Sequence, residues 1–345
     1  MSPPAVAAVD TVALTEGRSP DVAVPRAAEE AATPYVDARL VSSYDGTSQP
    51  LRYALPEREA EDKRPLLVFL HSWSANYRLH KKDWLEATLS RGWVFLEPNF
   101  RGPNNNPLAC GSPAARADIL DSVEFAIQEL GTDPERIYLA GASGGGHMAM
   151  LMAGRHPERF TAVSAWVGIS DLSQWHRDCS RPGSANRDAT MIADCCGGLP
   201  GESAEVDAEY FERSPINWIT GLNDLPLDIA AGVHDGQSGS VPFQHSLRLF
   251  NEIAKSRDAE VVTDEEMDQL WTASELQHPR PEDTLVDPSY GRDIKLRRVA
   301  GTARVTIFEG GHEGLAEAAC HWLESFRRST MASTVAITPQ LTTGR

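Results

Sequence analysis

Reactive residue types concentrate in Gly141-Ala142-Ser143-Gly144-Gly145-Gly146-His147. The β-branched and aromatic run Arg136-Ile137-Tyr138-Leu139-Ala140 precedes it and reads as a buried strand; Met148-Ala149-Met150-Leu151-Met152-Ala153 follows and reads as a helix. A strand, a Gly-x-Ser-x-Gly turn and a helix form the context of a nucleophile elbow. Such a turn forces Ser143 into a strained backbone geometry, and small residues at Gly141 and Gly145 let strand and helix approach. Ser143 Oγ is then exposed above the sheet edge, with a helix N-terminus close to any developing negative charge.

A serine hydroxyl is a weak nucleophile, so it needs a base, which a carboxylate orients in turn. In this context the order along the chain is serine, acid, histidine. Of the ten histidines, His312, within Gly310-Gly311-His312-Glu313-Gly314, sits just past the strand Val305–Phe308 and downstream of a suitable acid. His147 lies one helical turn beyond Ser143 and is expected to pack beside the site; His156 reads as a helix C-terminal residue. Two acids compete, Asp235 and Asp171. Asp235 is preferred because its strand feeds the sheet edge nearest the histidine loop, whereas Asp171 also reads as a helix cap aided by Ser173. His234, beside Asp235, is expected to point to the other side of its strand. A tetrahedral intermediate also needs an oxyanion hole. One donor is expected from the Gly144 N–H and a second from Ser72 or Trp73, in the loop after Leu66–Leu70.

The elements that must position these groups alternate along the chain. Strand-length apolar runs at Leu66–His71, Trp93–Leu96, Ala162–Ile169 and Leu227–Val233 are continuous rather than alternating, which implies burial on both faces of a parallel sheet. Helical stretches separate them: one around Trp84–Leu89, one over Ser112–Leu130 ended by Gly131, one over Val241–Ala254, and one opened by the capping-box residues Thr263 and Glu266. Leu40–Tyr44 and Leu51–Leu55 flank Asp45-Gly46-Thr47, a hairpin signature. A polar, Pro-containing loop is expected before Val305–Phe308. The fold class is therefore α/β: a doubly wound, mostly parallel sheet with helices on both faces. Residues 35–327 are expected to form one domain. About 172–224 lose all clean period and read as an insertion forming a lid or wall. Residues 1–34 read as a disordered segment and 328–345 as a flexible tail.

At this point the chain resembles the α/β-hydrolases, in particular the prolyl-oligopeptidase-like (S9) branch of serine peptidases and esterases. The resemblance covers roughly residues 38–327. It rests on Asn99-Phe100-Arg101-Gly102, Gly141-Ala142-Ser143-Gly144-Gly145, Tyr210 to Ser214-Pro215, Asp235 with Val241-Pro242, and Gly311-His312. It implies Ser143 as nucleophile, Asp235 as acid and His312 as base, with cleavage of an amide or ester through an acyl-enzyme. Long members of the group carry an N-terminal β-propeller. Fewer than forty residues precede the first hairpin strand here, so none is expected. Many esterase relatives read His-Gly-Gly in the oxyanion loop, where this chain reads His71-Ser72-Trp73. Trp73, Trp175 and Arg101 are the expected substrate-contacting side chains. Trp166 is a further aromatic candidate, and Arg177, Arg181 and Arg187 are candidates for holding a substrate carboxylate. The alternatives are a carboxylesterase, an acyltransferase or cyclase on the same scaffold, and a non-catalytic binding protein.

Composition narrows the partners. Thirty-two Lys and Arg against 49 Asp and Glu leave a formal charge of -17, which argues against nucleic acid or an anionic membrane surface. A small-molecule or short-peptide substrate is expected instead. No apolar run approaches the roughly 20 residues that span a bilayer. No secretory signal is visible, which suggests a cytoplasmic location. The mechanism requires no metal or organic cofactor, and no ligand cluster with metal spacing occurs. Of the five cysteines, Cys110 reads as a buried structural thiol. Cys179 with Cys195 or Cys196 could staple one loop, and a fully reduced set is the equal alternative.

Overall fold

A computed structural model describes residues 34–57, 63–180 and 187–328. The expectations for 1–33 and for the tail beyond 328 fall outside these residues, as does Arg181. The described residues form a nine-stranded sheet in the order β1-β2-β4-β3-β5-β6-β7-β9-β8. β1 (Tyr35–Val41) and β2 (Ser48–Ala54) make the antiparallel hairpin. Its turn holds Gly46 at a φ of 73°, and Asp45 Oδ1 accepts the Thr47 N–H at 3.0 Å. β3 (Arg64–Leu70), β4 (Val94–Pro98), β5 (Thr132–Ala142), β6 (Ala162–Trp166), β7 (Leu227–Gly232) and β9 (Ala303–Phe308) run parallel, as their continuous apolar runs predicted.

Nine helices are described: α1 (Lys82–Ser90), α2 (Pro113–Glu129), α3 (Gly144–Arg155), α4 (Leu172–Cys179), α5 (Arg187–Cys196), α6 (Ala204–Arg213), α7 (Gln244–Ser256), α8 (Asp264–Ala273) and α9 (Ala316–Leu323). α2 starts where Ser112 Oγ accepts the Ala115 N–H and Pro113 occupies the first turn. The capping box at α8 forms as read, with Thr263 and Glu266 each bonding the other's backbone. α3 is buried from Gly144 through Ala153, which explains a sequence apolar on every face. α4, α5 and α6 lie between β6 and β7.

One expectation fails. The loop before the last strand contains β8 (Ile294–Ala300), which pairs antiparallel with β9 through a hairpin at Gly301-Thr302. Its inward positions begin with Ile294 and Leu296 but continue with Arg298, while Val299 faces solvent. Arg298 is only 4% exposed and pairs with Glu266 and with the fully buried Asp283. A buried, ion-paired arginine in an apolar register position breaks the alternation by which strands are recognised.

Candidate active site

Ser143 links β5 to α3 with φ 60° and ψ -120°, a conformation that costs a non-glycine residue strain. Backbone packing holds it there. The Ser143 N–H donates to the Trp166 carbonyl at the end of β6 at 2.9 Å. A Cβ on Gly145 would stand 2.0 Å from the Leu70 carbonyl oxygen, and one on Gly141 would stand 2.4 Å from the Gly145 carbonyl oxygen. Only glycine permits the two backbones to come so close.

Asp235 follows β7 and is fully buried. Its Oδ2 lies 2.8 Å from His312 Nδ1, and its Oδ1 accepts the Val241 N–H at 3.2 Å. The carboxylate thereby fixes the imidazole with Nδ1 as donor and leaves Nε2 to accept. Gly239 must be glycine, because a Cβ would sit 2.2 Å from Asp235 Oδ1 and 2.7 Å from His312 Cβ. Nε2 lies 3.4 Å from Ser240 Oγ, and no hydrogen bond joins it to Ser143 Oγ. Ser143 and His312 nevertheless line one pocket of about 250 Å³ together with Ser72, Trp73, Trp175, Asp188 and Ser240. Nucleophile–base contacts are often loose without substrate and tighten on binding.

The competing acid has another task. Asp171 caps α4, its Oδ1 accepting the Gln174 N–H at 3.0 Å. His234 turns away to Glu309 at 2.7 Å, and His156 caps the C-terminus of α3. His147 packs behind the pocket, edge-on to Trp73 with ring centroids 5.8 Å apart. Its Nε2 lies 2.8 Å from the Arg213 carbonyl, and burial pushes its pKa down to about 4.

The oxyanion loop approaches the elbow at a defined point. A Cβ on Gly144 would lie 2.4 Å from the Trp73 backbone nitrogen, so these two backbones are in contact. Neither the Gly144 nor the Trp73 N–H donates to another group among the described residues. Ser72 directs its hydroxyl at the Ala142 carbonyl, 3.5 Å away. Trp73 and Trp175 meet edge to face with centroids 4.7 Å apart and form one pocket wall, and Trp175 Nε1 donates to the Ser240 carbonyl at 2.9 Å. Trp166, in contrast, is a core residue against Phe308 and Tyr290.

Arg101 is a correction. Its guanidinium donates to Asp118 and Asp45 at 2.7 Å each, and to Ser42. These contacts fasten the β1–β2 turn to α2, outside the pocket, and the two carboxylates raise the Arg101 pKa. Arg177 is hydrogen-bonded to Gln174, and Arg187 is exposed. The sequence reading did not single out Asp188 or Ser240 as pocket residues. Asp188, in the first turn of α5, is half-buried with its pKa raised by burial, and it makes neither hydrogen bond nor salt bridge among the described residues. No group of three or more His, Cys, Asp or Glu side chains converges as metal ligands among the described residues, and no described helix is long and apolar enough to cross a membrane.

Arg213, the last residue of α6, ties that helix to the loop between β4 and α2. Its guanidinium donates to the carbonyls of Pro107, Ala109 and Cys110 and pairs with Glu209.

With this geometry in place, residues 113–270, from α2 to α8, match the profile of the prolyl oligopeptidase family (Peptidase_S9). This stretch, a little under half of the chain, is what resembles that family. The fold agrees: the acylaminoacyl peptidase of Pyrococcus horikoshii superposes with a TM-score of 0.53 at 20% identity, over 67% of this chain and 36% of that one. A puromycin-hydrolyzing peptidase of Mycobacterium tuberculosis gives a TM-score of 0.58 at 17% identity, over 84% and 38%. In sequence, the human acylamino-acid-releasing enzyme is 25% identical over 186 residues, 49% of this chain and 23% of its own length. An acetylxylan esterase of Coprinopsis cinerea is 36% identical over 52 residues, 15% of this chain and 14% of its own. The chain thus spans under a quarter of these curated relatives and little over a third of the solved structures. The fold is the α/β-hydrolase fold that these peptidases share.

Proposed function

We propose that this hydrolase cleaves an amide or ester bond of a small substrate through an acyl-enzyme on Ser143. The observation that carries the reading is the 2.8 Å contact of His312 Nδ1 with the buried Asp235, in the same pocket as a serine held at positive φ. Asp235 orients the imidazole and stabilises its charged form; His312 removes the Ser143 proton and returns it to the leaving group. The Gly144 and Trp73 N–H groups receive the oxyanion, because both lie beside Ser143 with no acceptor of their own. Water then releases the acyl group.

The small pocket and its paired indoles favour a small acyl or alcohol group, and the Asp188 carboxylate, which makes no hydrogen bond, disfavours an anionic one. A fluorophosphonate probe that labels the wild type and spares Ser143→Ala supports the nucleophile; labelling of the variant at the wild-type rate refutes it. Side-by-side turnover of p-nitrophenyl acyl esters and aminoacyl p-nitroanilides then decides between esterase and peptidase.

A further inference from the structure

Outside the catalytic constellation, four of the five cysteines gather at one place. Cys110, Cys195 and Cys196 are each at most 2% exposed, and Cys179 packs against them with Trp175, Ile192 and Tyr210. They come from separate segments: the loop between β4 and α2, the last turn of α5, and the end of α4. The thiols of Cys110 and Cys195 are in hydrogen-bond contact, a pairing the sequence reading did not consider. The Cys110 backbone and the Cys195 sulfur are both held. The Cys110 N–H donates to Asn104 Oδ1 at 2.8 Å and its carbonyl accepts from Arg213 at 3.2 Å, while the Asn106 N–H donates to the Cys195 sulfur.

We propose that Cys110 and Cys195 are a thiol–disulfide site that covalently ties α5, and with it the pocket wall carrying Asp188, to the loop beneath it. The two thiols differ in the way an exchange pair needs. The hydrogen bond from Cys110 and the nearby Arg213 guanidinium draw the Cys195 thiol below its ordinary pKa, whereas burial pushes Cys110 well up. Because both sulfurs are buried in the folded chain, Cys195 attacks an external disulfide as the chain folds, before α5 packs down, and Cys110 resolves the mixed disulfide. With a low-molecular-weight disulfide as oxidant, the Cys195 thiolate attacks one of its sulfurs and expels the first thiolate. Cys110, giving up its proton, then attacks Cys195 of the mixed disulfide and expels the second. Two protein thiols become one disulfide, and one small disulfide becomes two thiols. The bond closes a loop that contains Ser143, so it constrains the unfolded chain across the whole catalytic segment.

The test is to incubate the purified chain, and to refold it from denaturant, in oxidised and reduced glutathione at fixed ratios. Samples are then quenched by alkylation in acid, mapped by peptide mass spectrometry and melted. The expected result is one Cys110–Cys195 bond and a Tm higher than that of the reduced protein by roughly 5 °C. Cys110→Ser and Cys195→Ser each abolish that oxidant-dependent shift. Persistence of both thiols after oxidative refolding, or a bond from Cys195 to Cys179 instead, overturns the proposal. The peptide map is read on the wild type, so the result stands whether or not the serine variants fold.

Discussion

Replacing Asp235 by Asn tests the site most severely, because the change is nearly isosteric and the surroundings define its effect. Asp235 Oδ2 accepts the Nδ1–H of His312 at 2.8 Å, and Oδ1 accepts the Val241 N–H at 3.2 Å. The amide oxygen of Asn keeps the Val241 contact, which forces its NH2 toward Nδ1. An NH2 can only donate, so the imidazole must move its own proton to Nε2, and it can no longer accept one from Ser143. Loss of the correct tautomer in a serine–histidine–carboxylate set costs on the order of 10^4 in turnover, or about 5 kcal/mol of transition-state stabilisation. The assay is kcat/KM on a p-nitrophenyl ester at neutral pH, corrected for spontaneous hydrolysis, with circular dichroism to confirm the fold. Asp171→Ala is the counterpart: it removes only the α4 cap, costing about 1 kcal/mol of stability and leaving kcat/KM within about twofold. A loss below about tenfold in Asp235→Asn, or a larger loss in Asp171→Ala, refutes the assignment of the acid.

Three further outcomes are expected. Gly145→Ala drives a Cβ to 2.0 Å from the Leu70 carbonyl oxygen, backbone against backbone, and should destabilise by about 3 kcal/mol, lowering Tm by roughly 5–10 °C in thermal melts; a shift under about 2 °C shows that the elbow yields. His147 titrates at about 4 in the folded chain against 6.5 unfolded, so its contribution is complete above pH 6.5 and is lost as pH falls toward 4, by about 3 kcal/mol. Glu97, raised to about 7 by burial, has the opposite sign, so the check is the difference between wild type and His147→Gln in denaturant titrations across that window, and a constant difference contradicts it. Asp188→Asn should reduce the ratio of kcat/KM for an amine-bearing ester to that for its uncharged analogue, by about tenfold; an unchanged ratio means that Asp188 does not face the substrate.

What could be read from the chain depended on whether a residue's role is local. The elbow, the strand before it and the helix after it are written in one short stretch, since each glycine there answers a contact with a near neighbour. Asp235 and His312 were legible because the fold places them at strand ends, and strand ends show as abrupt changes from apolar to polar. β8 escaped because Arg298 occupies an inward position neutralised by Glu266 and Asp283, residues from elsewhere in the chain. Arg101 was misassigned for the same reason: a motif arginine next to a strand end can face the substrate or, as here, two structural carboxylates. Asp188 and Ser240 carry no local signal, because only the packing of α5 and the loop after β7 against the elbow makes them neighbours of Ser143.

Arg213 bears on how a substrate would reach Ser143. One residue grips three carbonyls of the loop beneath it through its guanidinium, while its own carbonyl meets His147 behind the elbow. A pocket wall backed this way behaves as masonry rather than as a hinged door. Entry and exit are then governed by an aperture of fixed calibre, and the rate should fall off abruptly, not gradually, once the acyl chain outgrows the pocket that the two indoles wall.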